Sequence, residues 1–328
     1  MAYIQIRYEC RAPAEVSPMT LDEVYETTLE QIAWIDAQGF PVTVNFSEHH
    51  GSEDGYLPSA ITMAAAAAAI TRHVRLQVNV LLPYRDPLQL AEEVVVLDRI
   101  SRGRVELLLM GGFVPSEMET FGVDPKRRGE LMEEGVRVLR QAWSGEPFEY
   151  RGRRCRILPR PVQQPHPPLF MGAASPAAAR RAARIGDGFI AVSSLNEHYL
   201  AECAAVGRTP RHQGAMPFSY PYVCKDPDRT WERLAPYCLY ETNMYARWQA
   251  SASQGGMSKP ATDADALRAL KIYQPVTVAE VLARAPGFAP NDALVLHPLI
   301  SGLEKELSWE GLQLFFTEVA PHLDIRPL

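Results

Sequence analysis

Short β-branched runs alternate with longer amphipathic runs along most of this chain, and that alternation limits it to an α/β architecture with a parallel sheet. Strands are expected at 3–8, 42–47, 74–82, 105–110, 169–172, 188–191, 215–223 and 293–299. Helices are expected at 20–38, 57–71, 87–100, 127–143, 175–185, 196–206 and 309–319. Thr20 with Glu23 three residues on has the form of a capping box. Pro58 would enter the second helix near its first turn. Residues 148–157 suggest a β-hairpin about Arg151-Gly152, followed by a Pro-rich connector at 159–168. Runs such as 78–82 and 105–110 are almost wholly apolar, as expected of parallel strands covered on both faces.

Eight strands of this kind predict a closed (β/α)8 TIM barrel with insertions, formed as one domain over 1–328. The rival is an open doubly wound sheet. That fold usually carries a Gly-rich turn after its first strand, and neither G-x-G-x-x-G nor G-x-x-x-x-G-K-[ST] occurs here. The segment 251–265 (SASQGGMSKPATDAD) is small, polar and Gly-containing, and is either a lid or a disordered excursion.

Composition narrows the function classes. The net charge of −6 offers no basic stripe for nucleic acid. Five scattered cysteines form no C-x-x-C pair, which suits a reducing cytoplasm and gives no zinc site or disulfide framework. The start of the chain lacks the basic and apolar regions of a signal peptide. The most apolar run, 61–70, is too short for a bilayer core, which needs roughly 20 residues. It is expected to be a helix packing a small alanine face.

In a barrel of this kind chemistry sits at the C-terminal strand ends. After the second strand come Ser47-Glu48-His49-His50. Either histidine has the chemistry of a general base, and one of the two faces the barrel axis. The alternative is a structural histidine bonded to neighbouring loops. No convergent metal ligands are evident at the other strand ends, so no metal is assigned. Asn79 is an amide within an apolar strand, needing a ligand edge or a neighbouring strand end as partner. Met110-Gly111-Gly112 lets backbone approach a ligand. Gly172-Ala173-Ala174-Ser175 opens a helix whose N-terminus suits phosphate, although capping alone explains Ser175. Tyr240, Met244, Tyr245 and Trp248 either wall an apolar pocket or form a helix core at i, i+4, i+5, i+8 spacing.

Taken together, SEHHGSEDGYLPSA (47–60), the stretch 74–124 with LDRISRGRVEL, RRGELMEEGVRVLRQAW (127–143), PHPPLFMGAASPAAARRAARIGDGF (165–189) and HPLISGLEKELSWEGLQLF (297–315) resemble the bacterial luciferase-like flavin-dependent monooxygenases. The resemblance implies a (β/α)8 barrel holding a flavin. It implies reduced FMN supplied by a separate flavin reductase, and O2 activated as a flavin C4a-hydroperoxide that oxygenates a small hydrophobic organic substrate. Coenzyme F420 transferring hydride is the alternative cofactor, and a non-catalytic partner subunit the alternative role. Carried over, His49 or His50 matches the catalytic histidine pair. Val78 and Asn79 match a step that is often a non-prolyl cis peptide under the flavin. Gly172 to Ser175 match the phosphate segment. The family commonly has an Arg after the fourth strand, where this chain has Met110-Gly111-Gly112. The resemblance also implies a homodimer. Asp98, Ser101, Gly103 and Arg104 are expected to build the turn into the fourth strand.

Overall fold

The structure, a computed structural model, describes residues 2–252 and 259–328. Residues 253–258, part of the 251–265 segment read as either a lid or a disordered excursion, lie outside the described residues. The chain divides into two compact units, one made of 1–58 with 214–328 and the other of 59–213.

The first unit opens with β1 (Tyr3–Tyr8), α1 (Leu21–Ala37) and β2 (Thr43–Phe46). β1 matches its expected span, and the Thr20–Glu23 capping box that starts α1 is present with both reciprocal bonds. The next helix does not start at Leu57 as expected. Leu57 N donates to Glu9 O at 3.0 Å and Leu57 O accepts from His49 N at 3.2 Å, so Leu57 is committed to extended pairing. Its place before Pro58 disfavours the helical region as well.

The second unit begins at Ser59, at the N-cap position of α2 (Ala60–Ile70) but without a side-chain cap bond. β3 (Arg75–Leu81), α3 (Pro87–Ser101), β4 (Val105–Met110), the short α4 (Pro115–Thr120) and α5 (Arg128–Trp143) follow. The hairpin is present as β5 (Phe148–Tyr150) and β6 (Arg153–Cys155), turning at Arg151-Gly152. After the connector come β7 (Leu169–Met171), α6 (Pro176–Ile185), β8 (Gly188–Phe189) and α7 (Asn196–Ala205). β3, β4, β7 and β8 pair in that order, all parallel. The alanine face of α2 packs on α3, with Ala64, Ala67 and Ala68 fully buried.

The expected turn before β4 is present and holds the connector. The Asp98 carboxylate accepts Val162 N at 2.6 Å, Gln163 N at 3.0 Å and Gln163 Nε2 at 2.8 Å. Ser101 Oγ accepts from Arg104 N, and the Arg104 guanidinium donates to Val74 O and Thr71 O, closing the C-terminal end of α2. Trp143 fills the core beside them, donating to Ala91 O.

Back in the first unit, the strand expected over 215–223 is reduced to β9 (Pro221–Val223). Tyr220 sits at φ +36 and breaks the extension, while Ala215 O instead accepts from Ala293 N. Then come α8 (Pro227–Ser251), α9 (Ala264–Ala269), β10 (Gln274–Val276), α10 (Val278–Arg284), β11 (Ala293–Leu296) and α11 (Lys305–Leu314). α9, β10 and α10 are absent from the sequence reading, which offered a helix within α8 as one alternative for Tyr240 to Trp248; β10 lies parallel to β9. β11, β1 and β2 pair in parallel in that order. The last helix starts four residues earlier than expected and ends in a π turn over Phe315–Val319. Among the described residues no helix is long and apolar enough to cross a membrane.

Candidate active site

β1 alternates side chains between two faces. Ile4, Ile6 and Tyr8 fill one face without solvent contact; the other brings Arg7, and the chain beyond it brings Glu9 and Arg11, into the interior of the first unit. Buried charges must be paired, and here they are. Arg7 Nη1 meets Glu241 Oε1 at 2.8 Å, and Arg11 Nε meets Glu9 Oε1 at 2.7 Å. Asp54 Oδ2 lies 3.3 Å from Arg11 Nη1. Tyr273 donates to Glu241 Oε2 at 2.8 Å, and Ser301 N donates to Glu9 Oε1 at 2.7 Å. Burial pushes the Glu241 carboxyl up, but Arg7, His297 and Arg11 outweigh it and hold the group well below the usual carboxylate range. Sequence reading missed this cluster. Its signal was the period-two order Arg7, Glu9, Arg11 running on from an apolar strand.

Glu9, Glu241 and His297 offer three ligand atoms within 4.8 Å of one another. Two guanidiniums already supply the positive charge that a metal ion would otherwise bring to these carboxylates. A cation added there would stand beside Arg7 and Arg11 in a buried setting, where like charges repel strongly.

The expected histidine pair follows β2, and Tyr56 and Tyr245, which pack on His49, both bond Arg7 of this cluster. His49 is 7% exposed, and rings enclose it: Trp248 at 4.5 Å between centroids, Tyr56 at 4.9 Å and Tyr245 at 5.8 Å. His50 is half-buried, and its Nε2 lies 3.2 Å from Glu48 Oε1. A carboxylate at this distance fixes the orientation of an imidazole, the arrangement a proton-transferring histidine needs.

The expected pocket residues all lie on α8, so both sequence readings of them meet here. Met244 is buried against Arg11, and Tyr240 donates to Asp54 Oδ2 at 3.1 Å beneath the same guanidinium. Met244 is buried and Tyr240 half-buried on this helix. Tyr245 and Trp248 are half-buried and stand over His49. On the described side of the expected lid, the Asn243 amide pairs with both Ala261 N and Ala261 O, at 2.9 and 3.0 Å.

The expected flavin contacts lie in the second unit. Asn79 is buried on β3 opposite Leu108 of β4, on the face that also carries Met110. Val78 points to the other face, among fully buried aliphatic side chains, so only its backbone is placed to meet a ligand. The 78–79 bond is not cis: among the described residues the cis peptides are Leu158–Pro159 and Gln164–Pro165. Met110 packs on Gly172, where a Cβ would stand 2.7 Å from Met110 Cγ. Gly112, at φ +71, lies against the Tyr84 hydroxyl, and no L side chain fits there. A Cβ on Gly111 would stand 3.9 Å from Met132 Cγ, in ordinary van der Waals contact. Ala173 is half-buried and Ala174 exposed before Ser175, which caps α6 by accepting from Ala178 N at 3.3 Å. Arg128, unnoticed in the sequence, donates to Gly112 O at 2.6 Å and brings a guanidinium to the strand-four turn that lacks its own.

Comparison with known proteins gives concordant results. A 28% identical stretch of 165 residues, 48% of this chain and 45% of the relative, matches the oxygenase component of a flavin-dependent trigonelline monooxygenase from Acinetobacter baylyi. The chain spans about half the length of the curated relatives it matches. Among solved structures, monooxygenase RslO1 from Streptomyces bottropensis is 27% identical, with a TM-score of 0.79 over 98% of this chain and 99% of that one. An F420-dependent secondary alcohol dehydrogenase shares the fold, with a TM-score of 0.70 at 17% identity over 98% and 99% of the two chains. The fold class is thus the luciferase-like (β/α)8 barrel expected from the strand count. The sequence model described as "Luciferase-like monooxygenase" matches residues 7–283, and the chain belongs to that family.

Proposed function

We propose that this chain is the oxygenase component of a two-component monooxygenase. It takes FMNH2 from a separate flavin reductase and, with O2, oxygenates a small hydrophobic organic substrate. The observation that carries the reading is the histidine pair after β2: His50 oriented by Glu48, and His49 under the half-exposed ring of Trp248. A proton-handling group beside an apolar wall is what oxygen transfer to a hydrophobic substrate requires. The trigonelline relative, a flavin-dependent oxygenase component, supports the same reading; the F420 enzyme shares only the fold.

The second unit fits a flavin phosphate. The first turn of α6 is exposed at Ser175 to Ala177, so helix N–H groups are open to an anion. Arg128, seated on Gly112, supplies the cation missing after β4. Bound there, reduced flavin would supply electrons to O2; Asn79 and the backbone at Gly111 would position it. The five cysteines, all free thiols, suit a reducing cytoplasm. A homodimer, with each chain one functional barrel domain, completes the proposal. Exposed Ile70 on α2 and Val96 and Ile100 on α3 support it, being apolar side chains that a partner would cover.

The first test is anaerobic titration with FMNH2 and, separately, with reduced F420, followed by mixing with oxygenated buffer. FMNH2 should bind, and the return of oxidised-flavin absorbance should be much slower than for free FMNH2. Binding of F420 alone would overturn the oxygenase reading and establish hydride transfer; binding of neither would leave a partner subunit. Trp248→Ala should raise the KM of the oxygenated substrate about tenfold, by loss of one aromatic contact. Unchanged kinetics in a folded variant would remove Trp248 from the pocket.

A further inference from the structure

Tyr56 Oη and Tyr245 Oη lie 2.8 Å apart, and Arg7 Nη2 donates to both, at 3.2 and 2.9 Å. Each phenol has one proton to give and two lone pairs to fill. Among the described residues the hydroxyl bonds of Tyr56 run to Arg7 and to Tyr245, and Tyr56 is only 2% exposed. Its proton therefore goes to Tyr245. The Tyr245 oxygen then accepts twice, once from a cation, and its own proton is left for a partner outside this set. Two donated bonds polarise the remaining O–H and strengthen it as a donor.

Tyr245 is half-buried, and beside it stand the Trp248 ring, 5.4 Å away between centroids, and the His49 ring at 5.8 Å. A strong neutral donor is thus set into an otherwise aromatic wall. Burial, against the opposing pull of Arg7, raises the Tyr245 phenol well above its ordinary range and keeps the proton on the oxygen.

We propose that Tyr245 fixes the substrate by donating this proton in a hydrogen bond to a neutral oxygen acceptor, so that the enzyme selects carbonyl-bearing apolar ring compounds lying against Trp248 and His49. The proposal rests on the oxygenase reading of the same site, but its test uses neither flavin nor turnover. If Tyr245 only braced Arg7, its loss would weaken every ligand alike.

The test compares two probes of one shape, cyclohexanone and methylenecyclohexane, in ligand-observed NMR titrations of the purified protein. The wild type should bind the ketone about tenfold tighter, the value of one well-placed hydrogen bond. The 13C carbonyl resonance of bound cyclohexanone should move downfield. Tyr245→Phe should abolish both the preference and the shift while leaving methylenecyclohexane affinity unchanged. Tyr56→Phe, which leaves Arg7 and the Tyr245 proton in place, should reduce the preference only in part. Persistence of the preference in Tyr245→Phe, equal weakening of both probes, or binding of neither in the wild type would overturn the proposal. Failure of the FMNH2 experiment with an intact ketone preference would instead remove the oxygenase reading alone.

Discussion

Glu241→Ala should lower the unfolding free energy by about 3–5 kcal/mol, the usual cost of deleting one partner from a buried ion pair. Arg7, 2.8 Å from this carboxylate, would lose its main counter-charge, and Arg11 Nη2, 3.7 Å away, part of its own. Urea unfolding followed by circular dichroism measures the loss. Glu241→Gln keeps the shape and an acceptor for Tyr273, so the difference between the two variants isolates the charge. Stability should also depend on pH in a set direction. The folded Glu241 carboxyl sits well below its ordinary range. The unfolded chain therefore binds its proton first as pH falls. Glu241 contributes fully above about pH 4.5, and the contribution fades as pH falls toward its folded value. The acid limb of the stability profile should accordingly be flatter in Glu241→Ala. A loss under 1 kcal/mol, with an unchanged acid limb, would show that the cluster does not depend on this carboxylate.

His50→Ala should cut oxygenation by about 10²–10⁴-fold, the range for a lost acid–base group, with FMNH2 affinity unchanged. The flavin contacts proposed above lie elsewhere in the chain, in 59–213, which is why the two readouts should separate. His49→Ala should lower oxygenation too and also weaken substrate binding, because its ring supports Trp248 at 4.5 Å. Glu48→Gln should reproduce part of the His50 defect by loosening the ring. Full activity in both histidine variants would eliminate proton transfer by this pair.

The expected β/α alternation was legible where local signals agreed. β1, β4, α1 and the hairpin lie where periodicity, capping and turn residues placed them. It failed where longer-range bonds decided. Leu57 stands three residues before a helix but is held extended by Glu9 and His49. The stretch 215–223 has strand composition but is broken at Tyr220. α8 carries Pro236 inside it, so only the helical spacing of Tyr240 to Trp248 was noticed and its 25 residues were not recognised as one helix. In the candidate site, His49, His50 and Trp248 stood out as unusual residue types at a strand end or near a polar segment. Arg7, Glu9, Arg11 and Glu241 did not, because their meaning lies in one another. Glu241 is 234 positions from Arg7, and no local pattern links them.

That separation has a consequence for biosynthesis. The first strand leaves the ribosome carrying Arg7 and followed by Glu9 and Arg11, all destined for the interior, long before their partners exist. Translation at about 5–20 residues per second delays Glu241 by on the order of 10–50 s after Arg7. Ser301, whose amide completes Glu9, is 292 positions behind it and comes later still. The contiguous stretch 59–213 needs no such wait and can consolidate while the N-terminal strand stays solvated. The order of assembly would then run against the order of synthesis, with β1 made before the stretch 59–213 and buried after it.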